Sequence, residues 1–349
     1  MRSQHTWEAT YPADELGRPV SPAFHRLVML EVTRSPAPNE VRRMERALRD
    51  LETRFRHGPA GLLMVVGWGP GYFARHTDGD PPIGRPVALA RDERALMEDI
   101  DVCIHLAADD DDRLEGVVAA LLDGGPAGLG DPLRLREVRT GFTGVGLPAR
   151  FVRNDIPQDS PLLLGFHSGL RRNQATEDEI TIEHGPLKGG TTMHVSRLVL
   201  DLDAWYRLDD ETRAAQMYAP TVSAARAATF AEDATSDFER LPETARSHGI
   251  VGHAQAAARA RLDGRPRLNR RDFATVDGGL PGTHFVSLQR DLADFNATRA
   301  VMNAADARLH HHSIGLRRHN GINQFMSVLS RATFAVPARA QRAYPGHPA

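Results

Sequence analysis

The chain has a single cysteine, Cys103, set between Val102 and Ile104, which excludes an internal disulfide and any thiolate-only metal site and suits an inert core thiol. Long hydrophobic runs are missing too. None approaches the roughly 20 apolar residues that span a bilayer, and the stretch Met1–Pro19 has no basic lead into an apolar segment, so a cytoplasmic protein with no membrane partner is expected. Nor does one sign of charge dominate. A formal net charge of -2 over 349 residues creates no field to hold a nucleic-acid backbone, so any partner must be recognised locally. What is present is ordinary globular material, 41% hydrophobic and 25% charged, long enough for a sizeable core.

Residues 1–22 lack periodicity and carry Pro12, Pro19 and Pro22, which predicts an arm outside the core. Order begins near His25. His25–Val32 reads as a buried strand, and Pro38-Asn39 opens an amphipathic helix with Val41, Met44, Leu48, Leu51 and Phe55 spaced by three or four. Further strands are expected at Gly61–Gly67, running into the turn Gly67-Trp-Gly-Pro-Gly71, at Asp101–Leu106 and at Leu133–Val138, with a helix from roughly Asp112 to Leu122. This β-α-β-β-α-β order is the ferredoxin-like module. A similar order recurs later, with strands at Ser196–Leu202, His284–Gln289 and Thr333–Pro337 and helices from Asp203 and over Leu292–Asn303. The expected class is α+β: ferredoxin-like modules at 23–145 and 196–349, antiparallel sheets with helices outside. The connecting segment 146–195, rich in glycine, proline and polar groups, would wall a ligand cleft.

With one cysteine, a transition metal must be held by the 16 histidines and by carboxylates. Three sets stand out: His167 in Gly165-Phe-His-Ser-Gly169, His253 heading the run His253-Ala-Gln-Ala-Ala-Ala258, and the triplet His310, His311 and His312. Successive side chains of the triplet point different ways in any regular backbone, so it is a poor chelate. The alanines after His253 would let a flat ligand approach a helix, and one imidazole is enough to hold haem iron from one side. Taken alone, His253 reads first as an exposed or satisfied helix-start histidine. Arg265, Arg267, Arg270 and Arg271 then form a basic cluster with no carboxylate until Asp272. It is a solvated face, or a set of planar donors for acidic groups with one cation to spare for the iron. In the strand 284–289, His284, Val286 and Leu288 share one face and Phe285 takes the other; either could roof a pocket.

Together these segments resemble the DyP-type (dye-decolourising) haem peroxidases and the deferrochelatase-like proteins grouped with them, over roughly residues 25–340. The likeness rests on the order and spacing of Gly165-Phe-His-Ser-Gly169, Gly189-Gly190, Asp201-Leu-Asp-Ala-Trp-Tyr-Arg-Leu208, His253, Arg270-Arg-Asp-Phe273, Phe285-Val-Ser-Leu-Gln-Arg-Asp291 and Thr333-Phe-Ala-Val-Pro337. The resemblance implies two ferredoxin-like modules of the dimeric α/β-barrel type, with haem b (iron protoporphyrin IX) in the second. It makes His253 the proximal iron ligand, Arg271 the distal arginine, or Arg270 if the alignment slips by one, and Val286 and Leu288 part of the distal wall. The partners implied are hydrogen peroxide or oxygen and an organic substrate, in a homo-oligomer.

One departure bears on the chemistry. The family's Gly-x-x-Asp-Gly pattern has aspartate where this chain has Ser168. Peroxide cleavage needs a proton moved from one oxygen to the other so that water departs. Serine is no base near pH 7, and losing a positioned acid–base group costs on the order of 10²–10⁴ in rate. His167, with an ordinary pKa of about 6.5, is the neighbouring candidate for the relay. The expectation is a haem-dependent oxidoreductase, either a slow peroxidase or an enzyme that oxidises one specific metabolite. The alternatives are a haem-binding or haem-trafficking protein without turnover, and a cofactor-free scaffold.

Overall fold

In the computed structural model, residues 3–15, 17, 19–125, 128–144, 160, 162–166, 174–228, 239–303 and 305–348 are described. The first half runs β1 (Phe24–Val32), α1 (Pro38–Arg54), β2 (Leu63–Trp68), α2 (Pro70–His76), β3 (Leu96–Met97), β4 (Val102–Ala108), α3 (Asp111–Leu122) and β5 (Leu133–Phe142). Local chemistry starts and stops these elements. Pro38 opens α1 with its φ already helical, the Glu40 carboxylate accepts from the Ala37 N–H at 2.7 Å, and Asp110 caps α3 by accepting from the Arg113 N–H at 3.0 Å. The second half runs β6 (Thr191–Leu200), α4 (Leu202–Tyr206), α5 (Asp210–Met217), α6 (Ala224–Ala228), α7 (Leu241–His248), α8 (His253–Ala258), β7 (Asn269–Arg270), β8 (Phe273–Thr275), β9 (Gly282–Gln289), α9 (Leu292–Val301) and β10 (Met326–Val336).

The strands follow the order β2-β4-β1-β5-β8-β9-β6-β10, and β10 returns to β2 through Ala335 opposite Trp68, which closes eight strands into an antiparallel barrel. Closure removes the exposed sheet edges that would template aggregation. Strand β7 adds to β9, and β3 joins β10 in parallel.

Alternation along the strands then sets up layers. Inward residues such as Leu27, Met29, Val65, Met193, Val286 and Phe334 fill the barrel. The outward residues of the first half, including Val28, Leu30, Val66 and Ile104, are covered by α1 and α3 through Met44, Leu48, Leu114 and Val117. Each fully buried leucine or valine here contributes about 1.5–3 kcal/mol relative to exposure. Cys103 faces the lumen, where burial pushes its thiol up to about 12 and leaves it unreactive.

Two expectations are corrected. The N-terminal residues do not form an arm outside the core: they plug the barrel, with His5 and Trp7 at 0% exposure. Gln4 anchors them, its side-chain carbonyl accepting from the Val66 N–H at 2.9 Å and its amide donating to the Pro337 carbonyl at 2.8 Å. Prolines 12, 19 and 22 interrupt periodicity without preventing this anchoring, which depends on side chains instead of regular structure. The second correction concerns β6, which begins at Thr191, inside the segment expected to connect two modules. Among the described residues no helix is long and apolar enough to cross a membrane.

Candidate functional site

The outward face of the second half is where covering helices leave room. Ser196 and Leu198 of β6, Thr283 and Phe285 of β9 and Val328 of β10 form the floor of a cleft of about 1240 Å³, counting its open mouth. Leu164, Phe166, Tyr218, His253, Phe295 and Arg299 are among its other walls. The walls are mainly apolar with a few polar groups converging on them, the usual composition of a ligand site.

His253 is the first residue of α8, and two glycines fix its backbone. A Cβ at Gly252 would stand 1.9 Å from the Tyr218 carbonyl oxygen, so only glycine allows the strand of contacts in which the Gln255 N–H donates to that carbonyl at 3.1 Å. On the other side Gly321, at φ +54, brings its backbone against His253: a Cβ there would lie 2.9 Å from His253 Cα. The Gly321 N–H donates to the Val251 carbonyl at 2.7 Å, and the Val251 N–H to the His319 carbonyl at 3.0 Å, which ties this segment to the start of α8. Gln255 completes the anchor, accepting from the Gly252 N–H at 3.3 Å and donating to Thr244 Oγ1 of α7 at 2.9 Å.

The half-buried His253 imidazole makes no hydrogen bond among the described residues. Burial first, then the nearby Arg270 and Arg299 cations, lower its pKa to about 4, so it is neutral at pH 7 with a lone pair to offer. Arg299 donates to Asn303 Oδ1 at 2.7 Å, and burial, aided by Arg331, lowers its own pKa to about 10. Arg331 is neutralised by Glu93 at 2.5 Å and donates to Ser196 Oγ at 2.8 Å.

Strand alternation settles which arginine of the pair 270–271 meets the cleft. Asn269 stands opposite Leu288, Arg270 opposite Ser287 and Phe273 opposite His284, so odd positions turn into the barrel and even ones outward. Arg270 accordingly lines the cleft. Arg271, expected as the distal arginine, lies in the barrel: it donates to Glu177 Oε1 at 3.0 Å and to the His5 carbonyl, and its guanidinium sits 4.1 Å from the Trp7 ring centroid. Val286 and Leu288 share the barrel interior with it, and the cleft face of β9 is Thr283 and Phe285 instead. This is a correction of three expected site positions, and its cause is one register, since side chains of adjacent residues in a strand point to opposite faces. His25 and His105 are also lumen groups, joined at 3.0 Å between Nδ1 and Nε2, with the His25 ring stacked 4.5 Å from Phe273.

His167 and Ser168 lie outside the described residues. The loop that leads to them is held by α4, where the Trp205 indole N–H donates to the Leu164 carbonyl at 3.0 Å and the Tyr206 hydroxyl to the Leu163 carbonyl at 2.8 Å. These two aromatics are packing residues that shape one cleft wall. In the histidine triplet, His311 Nδ1 bonds Ser313 Oγ at 2.7 Å. Among the described residues no group of three or more His, Cys, Asp or Glu side chains could hold a bare metal ion. Asp272 and Arg299, which sequence reasoning did not place in the site, both line the cleft.

The model of a family of unknown function, DUF7405, matches residues 22–338. The chain belongs to DUF7405. No curated protein sequence matches this DUF7405 member. Solved structures do. The dye-decolorizing protein from V. cholerae superposes with a TM-score of 0.63 at 17% identity, covering 97% of this chain and 99% of that one. A variant of DypB from Rhodococcus jostii RHA1, in complex with heme, gives 0.62 at 17%, covering 97% of each chain. The encapsulated DyP-type peroxidase from Mycobacterium smegmatis gives 0.62 at 16%, covering 96% and 98%. The fold of this DUF7405 chain is thus the DyP-type fold, and the resemblance carried by its motifs holds at that level.

The cleft passes a test for haem on its own chemistry. It offers one neutral imidazole with no hydrogen bond among the described residues, apolar walls for a flat macrocycle, the small Ala254 beside the imidazole, and the cations Arg270 and Arg299 for acidic substituents.

Proposed function

We propose that this protein is a haem b-dependent oxidoreductase of the DyP type, with haem in the cleft and His253 as its protein ligand to iron. The observation that carries this reading is the neutral His253 imidazole, held by Gly252 and Gly321 and presented to an apolar cleft beside two arginines. When bound, haem supplies a redox-active iron and a position for a small oxidant, hydrogen peroxide or oxygen. The chain's own residues do the rest. His253 stays neutral and available, Arg299 and Arg270 offer charge-assisted hydrogen bonds to carboxylates, and Leu164, Phe166 and Phe285 exclude water from the reacting centre.

The serine at position 168 favours either a slow peroxidase or a specialised oxidation of one organic substrate. The same serine supports the second reading, a haem-binding protein that has shed turnover. The two-module description also belongs here: the strand orders β5-β1-β4-β2 and β10-β6-β9-β8 repeat one pattern, which supports two ferredoxin-like halves of one barrel. Optical spectra of the haemin-loaded protein, taken before and during rapid mixing with peroxide, separate the readings. An enzyme gives a Soret band that changes quickly and recovers when an organic reductant is added. A carrier gives a Soret band that peroxide leaves unchanged on that timescale. A protein that takes up no haemin refutes both.

A further inference from the structure

Ser168 leaves the motif without its carboxylate, yet the described walls of the cleft contain one. Asp272 lines the cleft together with Arg270. The register that puts Arg270 opposite Ser287 and Phe273 opposite His284 sets Asp272 opposite Phe285, on the outward face and above the apolar floor. Its side chain is half-buried and has neither a hydrogen bond nor an ion pair among the described residues. It is the one carboxylate among the described residues that line the cleft. Among the described residues, the other ionisable groups that face this space are Arg270, Arg299, His253 and Tyr218, with Arg331 already matched by Glu93 at 2.5 Å.

We propose that Asp272 is the proton-handling carboxylate of this cleft, taking the place of the acid that Ser168 cannot supply. The assignment rests on the haem reading above. In it, the Asp272 carboxylate accepts the proton of a small acid that ionises in the cleft and passes it to bulk water, and it carries a proton from water back to the anion as the acid leaves, so the carboxylate itself is unchanged once the anion is bound. Arg270, two residues earlier on the same face, steadies the resulting anion.

Cyanide tests this without turnover, because it arrives as HCN and is held as the anion. The experiment compares cyanide association and dissociation rates at pH 7 in the haemin-loaded wild type and in Asp272→Asn, Asp272→Ala and Asp272→Glu. A lost positioned proton acceptor should slow both rates in the Asn and Ala variants, by on the order of 10²–10⁴. The dissociation constant should be no weaker, because a proton relay speeds both directions alike, and Glu should restore much of the rate. A merely structural role for Asp272 would weaken the dissociation constant and leave the two rates out of step. Wild-type rates in Asp272→Asn and Asp272→Ala, with a normal Soret band, would overturn the assignment and leave the haem reading intact. Absence of haemin uptake by the wild type would overturn the haem reading first.

Discussion

Replacing Gly321 with alanine probes how the fold holds His253. At φ +54 an alanine pays about 1–2 kcal/mol for the left-handed conformation alone. The new Cβ would also lie 2.9 Å from His253 Cα and 3.0 Å from both its Cβ and its N, where packed carbons prefer about 3.5–4.0 Å. These are not the ends of flexible side chains, so relief requires the 319–321 segment or the start of α8 to move, and the imidazole moves with it. Relieving such overpacking costs about another 1–3 kcal/mol. Gly279→Ala is the matched control: its φ is +76 but nothing lies within 4 Å of its added Cβ, so it bears the conformational cost only. Urea unfolding should show Gly321→Ala less stable than Gly279→Ala by about 1–3 kcal/mol. Haemin titration should show a tenfold or greater loss of affinity in Gly321→Ala only, which is about 1.4 kcal/mol. Equal stability and equal haemin affinity in the two variants would refute the claim that Gly321 positions His253.

The two neighbouring arginines should separate cleanly. Arg271→Met removes the cation paired with Glu177, leaving that carboxylate only the Trp7 and Glu8 N–H donors, and should cost about 3–5 kcal/mol in urea unfolding with the haemin spectrum unchanged, whereas Arg270→Met should lose less stability and bind haemin more weakly; the reverse pattern would contradict the register. Trp7→Ala should cost about 3–5 kcal/mol in the same assay, and a change near zero would return residues 3–10 to an arm. Acid should destabilise the fold early. Burial above all lowers the pKa of His5 to about 4, His25 to about 3 and His253 to about 4, from 6.5. The unfolded chain therefore binds protons that the folded chain refuses. The stability these histidines contribute is complete above pH 6.5 and is lost as pH falls toward 4, each by up to about 1.4 kcal/mol per pH unit. Urea midpoints should drop steeply between pH 7 and pH 5, and a flat profile would contradict the assignment of neutral buried histidines.

The strands and helices of the first half were legible because their periodicities are clean: Val41, Met44, Leu48 and Leu51 recur at helical spacing and all are buried. Barrel closure was not, since it depends on Ala335 meeting Trp68 across the whole chain, and no local pattern encodes that pairing. The two faces of β9 were correctly separated, but the choice between them was hidden. Val286 faces a filled barrel and the half-buried Phe285 a largely apolar cleft, so no charged face marks the outside. Arg270 against Arg271 could have been decided by extending the alternation back from Phe273, and the same count would have brought Asp272 into the site. The docked N-terminus carried no such signal, because Gln4 and Trp7 are held by contacts with residues more than sixty positions away and with the barrel interior.

The central claim is that His253 is the imidazole that holds haem. Titrating haemin into the wild type and into His253→Ala, each with and without added imidazole, tests it most directly through the Soret band. The account predicts saturable uptake with a histidine-ligated spectrum in the wild type, its loss in His253→Ala, and its recovery when free imidazole fills the space left by the side chain. A His253→Ala protein that keeps the wild-type affinity and spectrum without imidazole would contradict it.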